Sequence, residues 1–209
     1  QKTWPLFKDW NYCIKKGGNF FFTDFYEGYY PKDSIDTLNM LKSITKNISI
    51  VDSLGLKKYT GIYVFDELQK ASQYQIIICD SLLKDINKSN LPLITAAPFN
   101  KDYESNIDIW CPKLDDYSEF EANSTKDSSW LYICNTTTHP LPNFLLEYPL
   151  SDIDSLFLFM KNKPINGFLY WSLNCWRNNI PEIDTDSPYF NPETWDTDSY
   201  QKHNGDGML

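Results

Sequence analysis

The stretch "YTGIYVFDELQK", Tyr59 to Lys70, decides the reading of the fold. Its core, "TGIYVF" (Thr60 to Phe65), is a short run of β-branched, aliphatic and aromatic residues, the pattern of a strand covered on both faces. The run ends in two adjacent acids, Asp66 and Glu67, and helical spacing follows from Leu68 to Asn87. A buried strand that feeds a helix is half of a βαβ unit, and such units build parallel sheets. In those sheets binding and reacting groups collect at the carboxyl ends of the strands, where Asp66 and Glu67 stand. Successive strand residues face opposite ways, so both acids can serve one pocket only if the strand pattern breaks there.

The same alternation extends in both directions. Strands are expected at "NFFFTDF" (Asn19 to Phe25), "LPLITAAP" (Leu91 to Pro98), "NIDIWCP" (Asn106 to Pro112), "SSWLYICN" (Ser128 to Asn135) and "NGFLYWSLNCW" (Asn166 to Trp176). Helices are expected from Ser34 to Gly55, with Ser34 as N-cap, from Asp115 to Ala122, and from Ser151 to Lys161, with Ser151 as cap. The six strands suffice for a doubly wound sheet and fall short of an eight-stranded barrel. After Trp176 the chain turns to Asn, Asp, Pro and Gly without periodicity, which predicts a long loop or tail over 177–209.

Composition narrows the partners. A net charge of −9 and one arginine, Arg177, argue against nucleic acid and against an anionic membrane surface. No apolar window is long enough to span a bilayer. Five scattered cysteines and two histidines offer no metal-ligand spacing, so neither a metal nor a cofactor is expected. Aromatic residues make up 16% of the chain, enough for a heavy core and for flat platforms that take sugars. Four N-glycosylation sequons, at Asn47, Asn87, Asn123 and Asn135, favour a secretory, extracellular or lysosome-like setting.

Two readings of the acid pair compete. In the first, Asp66 caps the following helix and Glu67 sits in its first turn, where the helix dipole favours acids. In the second, the pair is catalytic. Ordinary glycosidases hold two carboxylates apart across the scissile bond. Adjacent acids suit a scheme in which the sugar's own 2-acetamido oxygen attacks, one carboxylate orients that group, and its neighbour protonates the leaving oxygen.

Further motifs favour the second reading. "YVFDEL", "NIDIWCPKLDDY", "WLYICNTTTHPLPNFLLEYPLSDIDSLFLFM", "NGFLYWSLNCW", "DSPYFNP" and "NGDGML" follow in order. Together they resemble the catalytic domain of glycoside hydrolase family 123, the β-N-acetylgalactosaminidases, over Tyr59 to Leu209. That family is a (β/α)8 TIM-type barrel, commonly preceded by a β-sandwich. The resemblance implies that residues 1–209 supply strands three to eight of the barrel, with residues 177–209 packed on it. It also implies that another chain or segment supplies the rest. Glu67 is implied as general acid/base and Asp66 as the residue that stabilises the acetamido group.

Around them, Trp171, Tyr170, Asn174 and Trp176 end the last predicted strand as candidates for sugar stacking and hydrogen bonding. Asp24, Trp110 and Tyr132 lie at or near the ends of three others and complete the candidate set. The expected activity is retaining removal of β-linked N-acetylgalactosamine from a glycoconjugate. The alternative is a catalytically inactive barrel kept as a binding or assembly module, motivated by Leu68, where the family usually has proline.

Overall fold

Parallel pairing joins every pair of neighbouring strands among the described residues. The computed structural model describes residues 12–17, 21–23, 33–66, 81, 84–85, 87–145 and 148–170. Strands β1 (Phe21–Thr23), β2 (Thr60–Asp66), β3 (Leu93–Ala96) and β4 (Ile109–Trp110) form a sheet in sequence order. Strands β5 (Ser129–Ile133) and β6 (Ile165–Tyr170) form a second pair. Helix α1 (Ser34–Ser53) links β1 to β2, helix α2 (Tyr117–Asn123) precedes β5, and helix α3 (Ser151–Lys161) links β5 to β6. Among the described residues the strands and helices expected from the sequence form a parallel α/β fold, while most of the helix expected from Leu68 to Asn87 lies outside them. The chain divides into two compact units, Gln1–Trp110 and Cys111–Leu209.

In the first unit, α1 buries Met40, Ile44, Ile48 and Val51, a stripe at spacings of four, four and three residues. Its N-cap is Asp33 rather than the expected Ser34: the Asp33 carboxylate accepts from the backbone N–H of Ile35 and of Asp36, both at 2.8 Å. Gly55, at φ +67°, lies just past the helix end in the left-handed conformation that glycine takes at least cost. All four residues of β3 are buried, as a strand covered on both faces requires. The Asn87 side chain donates to the Leu91 carbonyl at 2.7 Å and accepts from the Leu91 N–H at 3.0 Å, which fixes the entry to β3. β4 is shorter than expected: Lys101–Asn106 winds as a 3₁₀ helix capped by the Asn100 side chain, and Pro112 has no N–H to extend the ladder.

In the second unit, Leu131 pairs with Phe168 and Ile133 with Tyr170 on one face of the β5–β6 sheet. Helix α3 lies on that face, because its Phe157 meets Phe168 edge-on at 5.7 Å. Tyr117 of α2 packs edge-on against Phe159 of α3 at 5.4 Å. On the opposite face Trp130 pairs with Gly167 and Tyr132 with Leu169. The α3 N-cap is Leu150, whose side chain makes no cap bond, so Ser151 is not the cap the sequence suggests. Asp152 and Asp154 in the first turn favour the helix start through its dipole instead.

Candidate active site

The site begins at the carboxyl end of β2, where Asp66 is the last strand residue. Up to that point β2 pairs regularly with β3, Ile62 with Leu93 and Tyr63 with Ile94. The next pair is Asp66 with Ala96, so three residues of β2 advance against two of β3. This is a one-residue irregularity of the bulge type, the device by which strands next to active sites re-aim their side chains. The irregularity lies in the backbone immediately before Asp66. Glu67 lies outside the described residues, as do Asp24, Trp171, Asn174 and Trp176 and the tail at 177–209.

The other three candidates fall in described strands. Trp110 ends β4 with no exposed surface, its ring edge-on to Phe99 at 5.2 Å, and its indole N–H has no hydrogen-bond partner among the described residues. Tyr170 ends β6 on the α3 side of the sheet, with its ring 5.4 Å from Phe144 and stacked 6.5 Å from Phe168. Tyr132 is half-buried on the opposite face, one residue before the end of β5. His139 is exposed and stacks on Tyr148 at 4.1 Å, a surface contact.

A polar group at the carboxyl end of β5 escaped the sequence reading. Lys113 pairs in parallel with Tyr132, and the Tyr132 N–H donates to the Pro112 carbonyl at 3.2 Å. The Lys113 ammonium donates to Thr136 Oγ1 at 3.2 Å and lies 3.8 Å from Asp115 Oδ2. Asp115 in turn accepts from Thr137 Oγ1 at 2.7 Å. The buried Asn143 amide donates to the carbonyls of Cys134 and Thr137, both at 2.8 Å, and so fixes the loop that carries the two threonines. These contacts span 22 and 23 residues of sequence, which no local spacing rule detects.

Three groups hold their protons more tightly than usual. Burial pushes the Cys111 thiol well above its ordinary value, which makes it an inert core residue. Tyr117 is raised by burial first and by the nearby Glu121 charge second. Lys163 is raised by its hydrogen bond to Glu121, with Nζ to Oε1 at 2.7 Å. Among the described residues no group of three or more His, Cys, Asp or Glu could hold a metal, and no helix is long and apolar enough to cross a membrane. Of the sequon asparagines, Asn47 is buried inside α1 and the Asn87 amide is engaged by Leu91, whereas Asn123 is exposed at the end of α2.

Solved structures share this arrangement of helices and parallel strands. A family 123 glycoside hydrolase from Clostridium perfringens, studied for glycolipid glycan hydrolysis, superposes with a TM-score of 0.57 at 18% identity, over 86% of this chain and 30% of that one. A β-glucuronidase from Ruminococcus gnavus, in complex with an N1-substituted uronic isofagomine, gives 0.52 at 14% identity, over 86% of this chain and 40% of that one. The fold is thus one that glycoside hydrolases use. Residues 36–206 match the family described as "Glycoside hydrolase 123, catalytic domain", and the chain belongs to that family. It spans less than half the length of either solved relative. No curated protein sequence matches it.

Proposed function

We propose that the chain is the catalytic part of a retaining exo-glycosidase that removes β-linked N-acetylgalactosamine from glycoconjugates by substrate-assisted catalysis. The observation that carries this reading is the bulge in β2 immediately before the acid pair, inside the family match. Glu67 holds the proton in the resting state and delivers it to the leaving oxygen. Asp66 stays ionised, orients the 2-acetamido group for attack on the anomeric carbon, and stabilises the positive charge of the resulting ring. Glu67 then takes a proton from the water that opens that ring, which regenerates the enzyme and keeps the anomeric configuration.

We assign the described strands to positions three to eight of a (β/α)8 barrel, with β2 as the fourth. Carbohydrate is the partner, and no cofactor takes part. Trp171 is the preferred stacking platform of its segment, because the Tyr170 ring is already packed against Phe144 and Phe168. Asn174, Trp176, Asp24 and Tyr132 remain candidate lining residues, whereas the Trp110 ring has no exposed surface to offer a ligand.

The decisive experiment is hydrolysis of an aryl β-N-acetylgalactosaminide by Glu67→Gln. Loss of one positioned proton donor is expected to lower kcat by about 10²- to 10⁴-fold. Undiminished turnover in that variant removes Glu67 from the mechanism. A folded wild-type chain without turnover on any N-acetylhexosaminide points instead to a binding module.

A further inference from the structure

We propose that Asn123 is an N-glycan acceptor, the one sequon of the four that the fold leaves open to a covalent oligosaccharide. The inference concerns modification of the chain, so it stands apart from the glycosidase reading. It presupposes a secretory route, where the donor is a lipid-linked oligosaccharide diphosphate. In the transfer the Asn123 amide nitrogen attacks the anomeric carbon of that donor. A C–N bond forms, the C–O bond to the diphosphate breaks, the lipid diphosphate leaves with the bonding electrons, and one amide proton passes to solvent.

A folded chain carries such a bulky polar group only where the amide reaches solvent. The sequon must also present its hydroxyl residue from a surface loop. Three of the four sequons fail on these grounds. Asn47 is 9% exposed in the middle of α1, on the stripe that buries Ile44, Ile48 and Val51. A glycan there would displace core side chains. The Asn87 amide is bonded to Leu91 in both directions, and the hydroxyl of its sequon, on the buried Ser89, donates to Asp52 Oδ2 of α1. Asn135 is half-buried, and its sequon hydroxyl, on Thr137, belongs to a residue with no exposed surface and donates to Asp115.

Asn123 meets both conditions. It is exposed, and so is Thr125, which carries the hydroxyl of its sequon. The Asn123 amide donates to the Glu119 carbonyl at 2.9 Å within the last turn of α2, an exposed bond that water replaces at little cost. The helix ends at Asn123, and Ser124 has φ −79° and ψ 146°, so the sequon opens into extended backbone at its second residue. Glu121 and Ala122 beside it are exposed as well, which leaves the surrounding surface clear.

Position agrees with accessibility. Asn123 begins the connection from α2 to the amino end of β5. Ligands of parallel α/β folds bind at the opposite, carboxyl end. A glycan on Asn123 leaves that end of β5 clear, whereas one on Asn135, two residues past Ile133, would crowd it.

The test is expression of the full chain behind a secretion leader in a eukaryotic host. N-glycans are then released enzymatically in heavy-oxygen water, which turns each occupied asparagine into a labelled aspartate. Mass mapping of the folded chain, identified by cooperative melting, should find the label at Asn123 and at none of Asn47, Asn87 and Asn135. Asn123→Gln and Thr125→Ala should each abolish the glycan, and Thr125→Ser should retain it. Chain held back inside the cell is mapped in the same way, so poor secretion leaves the readout intact. An unlabelled Asn123 overturns the proposal, and so does label at any of the other three asparagines in the folded chain.

Discussion

Gly167 leaves no room for a side chain. A Cβ built on it would lie 2.4 Å from the Trp130 ring, a contact real atoms do not make. The indole covers the glycine because Trp130 and Gly167 are direct partners across the β5–β6 ladder. Gly167→Ala must therefore displace a rigid ring, at a cost of about 1–3 kcal/mol typical of overpacking. Urea unfolding should show the midpoint falling accordingly; a midpoint equal to that of the parent would mean the ring yields freely. Nothing in "NGFLYW" hints at this, since the obstructing residue lies 37 positions earlier. Lys113 and Asp115 are hidden for the same reason: their partners Thr136 and Thr137 become neighbours only through parallel pairing. The acids Asp66 and Glu67, by contrast, are legible as a pair because adjacency is itself a property of sequence.

At the level of the element, the alternation of apolar runs and amphipathic stretches located the strands β1 to β6 and the helices α1 to α3, because period is a local signal. Their ends were less legible. Asp33 and Ser34 are both good caps one residue apart, and only the backbone geometry shows that Asp33 takes the extended conformation and accepts two N–H groups. Asp33→Ala should cost about 1 kcal/mol of stability, while Ser34→Ala should change it by a few tenths at most. Chemical denaturation of the two variants separates them, and the reverse order would restore the cap to Ser34. The contraction of β4 had no clear warning either: Asn106 reads as a strand start, yet the 3₁₀ turn capped by Asn100 absorbs it.

For the molecule as a whole, stability should decline in alkali. Cys111, Tyr117 and Lys163 all have folded pKa values raised above their ordinary 9.0, 10.0 and 10.5. A raised value means that the folded chain keeps protons the unfolded chain would release. The stabilisation is present in full below the ordinary values and is lost as pH rises through the folded ones. The urea midpoint should thus fall between about pH 8 and about pH 11, and a flat profile over that window would contradict the burial of the Cys111 thiol and the Tyr117 ring. The family match, by contrast, extends over residues 36–206 and the motifs that carry the resemblance over Tyr59 to Leu209, which is why membership was legible when side-chain neighbourhoods were not. The slipped register between Tyr63 and Asp66 has an evolutionary corollary. Asp66 keeps Ala96 as its partner beyond the irregularity, so losing a single codon between Tyr63 and Asp66 would straighten the ladder without changing the pairing that follows. Such a lesion need not unfold the chain. Under the proposed reading, a lineage could lose the bend before its acids, and with it hydrolysis, by one deletion while both acids remained in its gene.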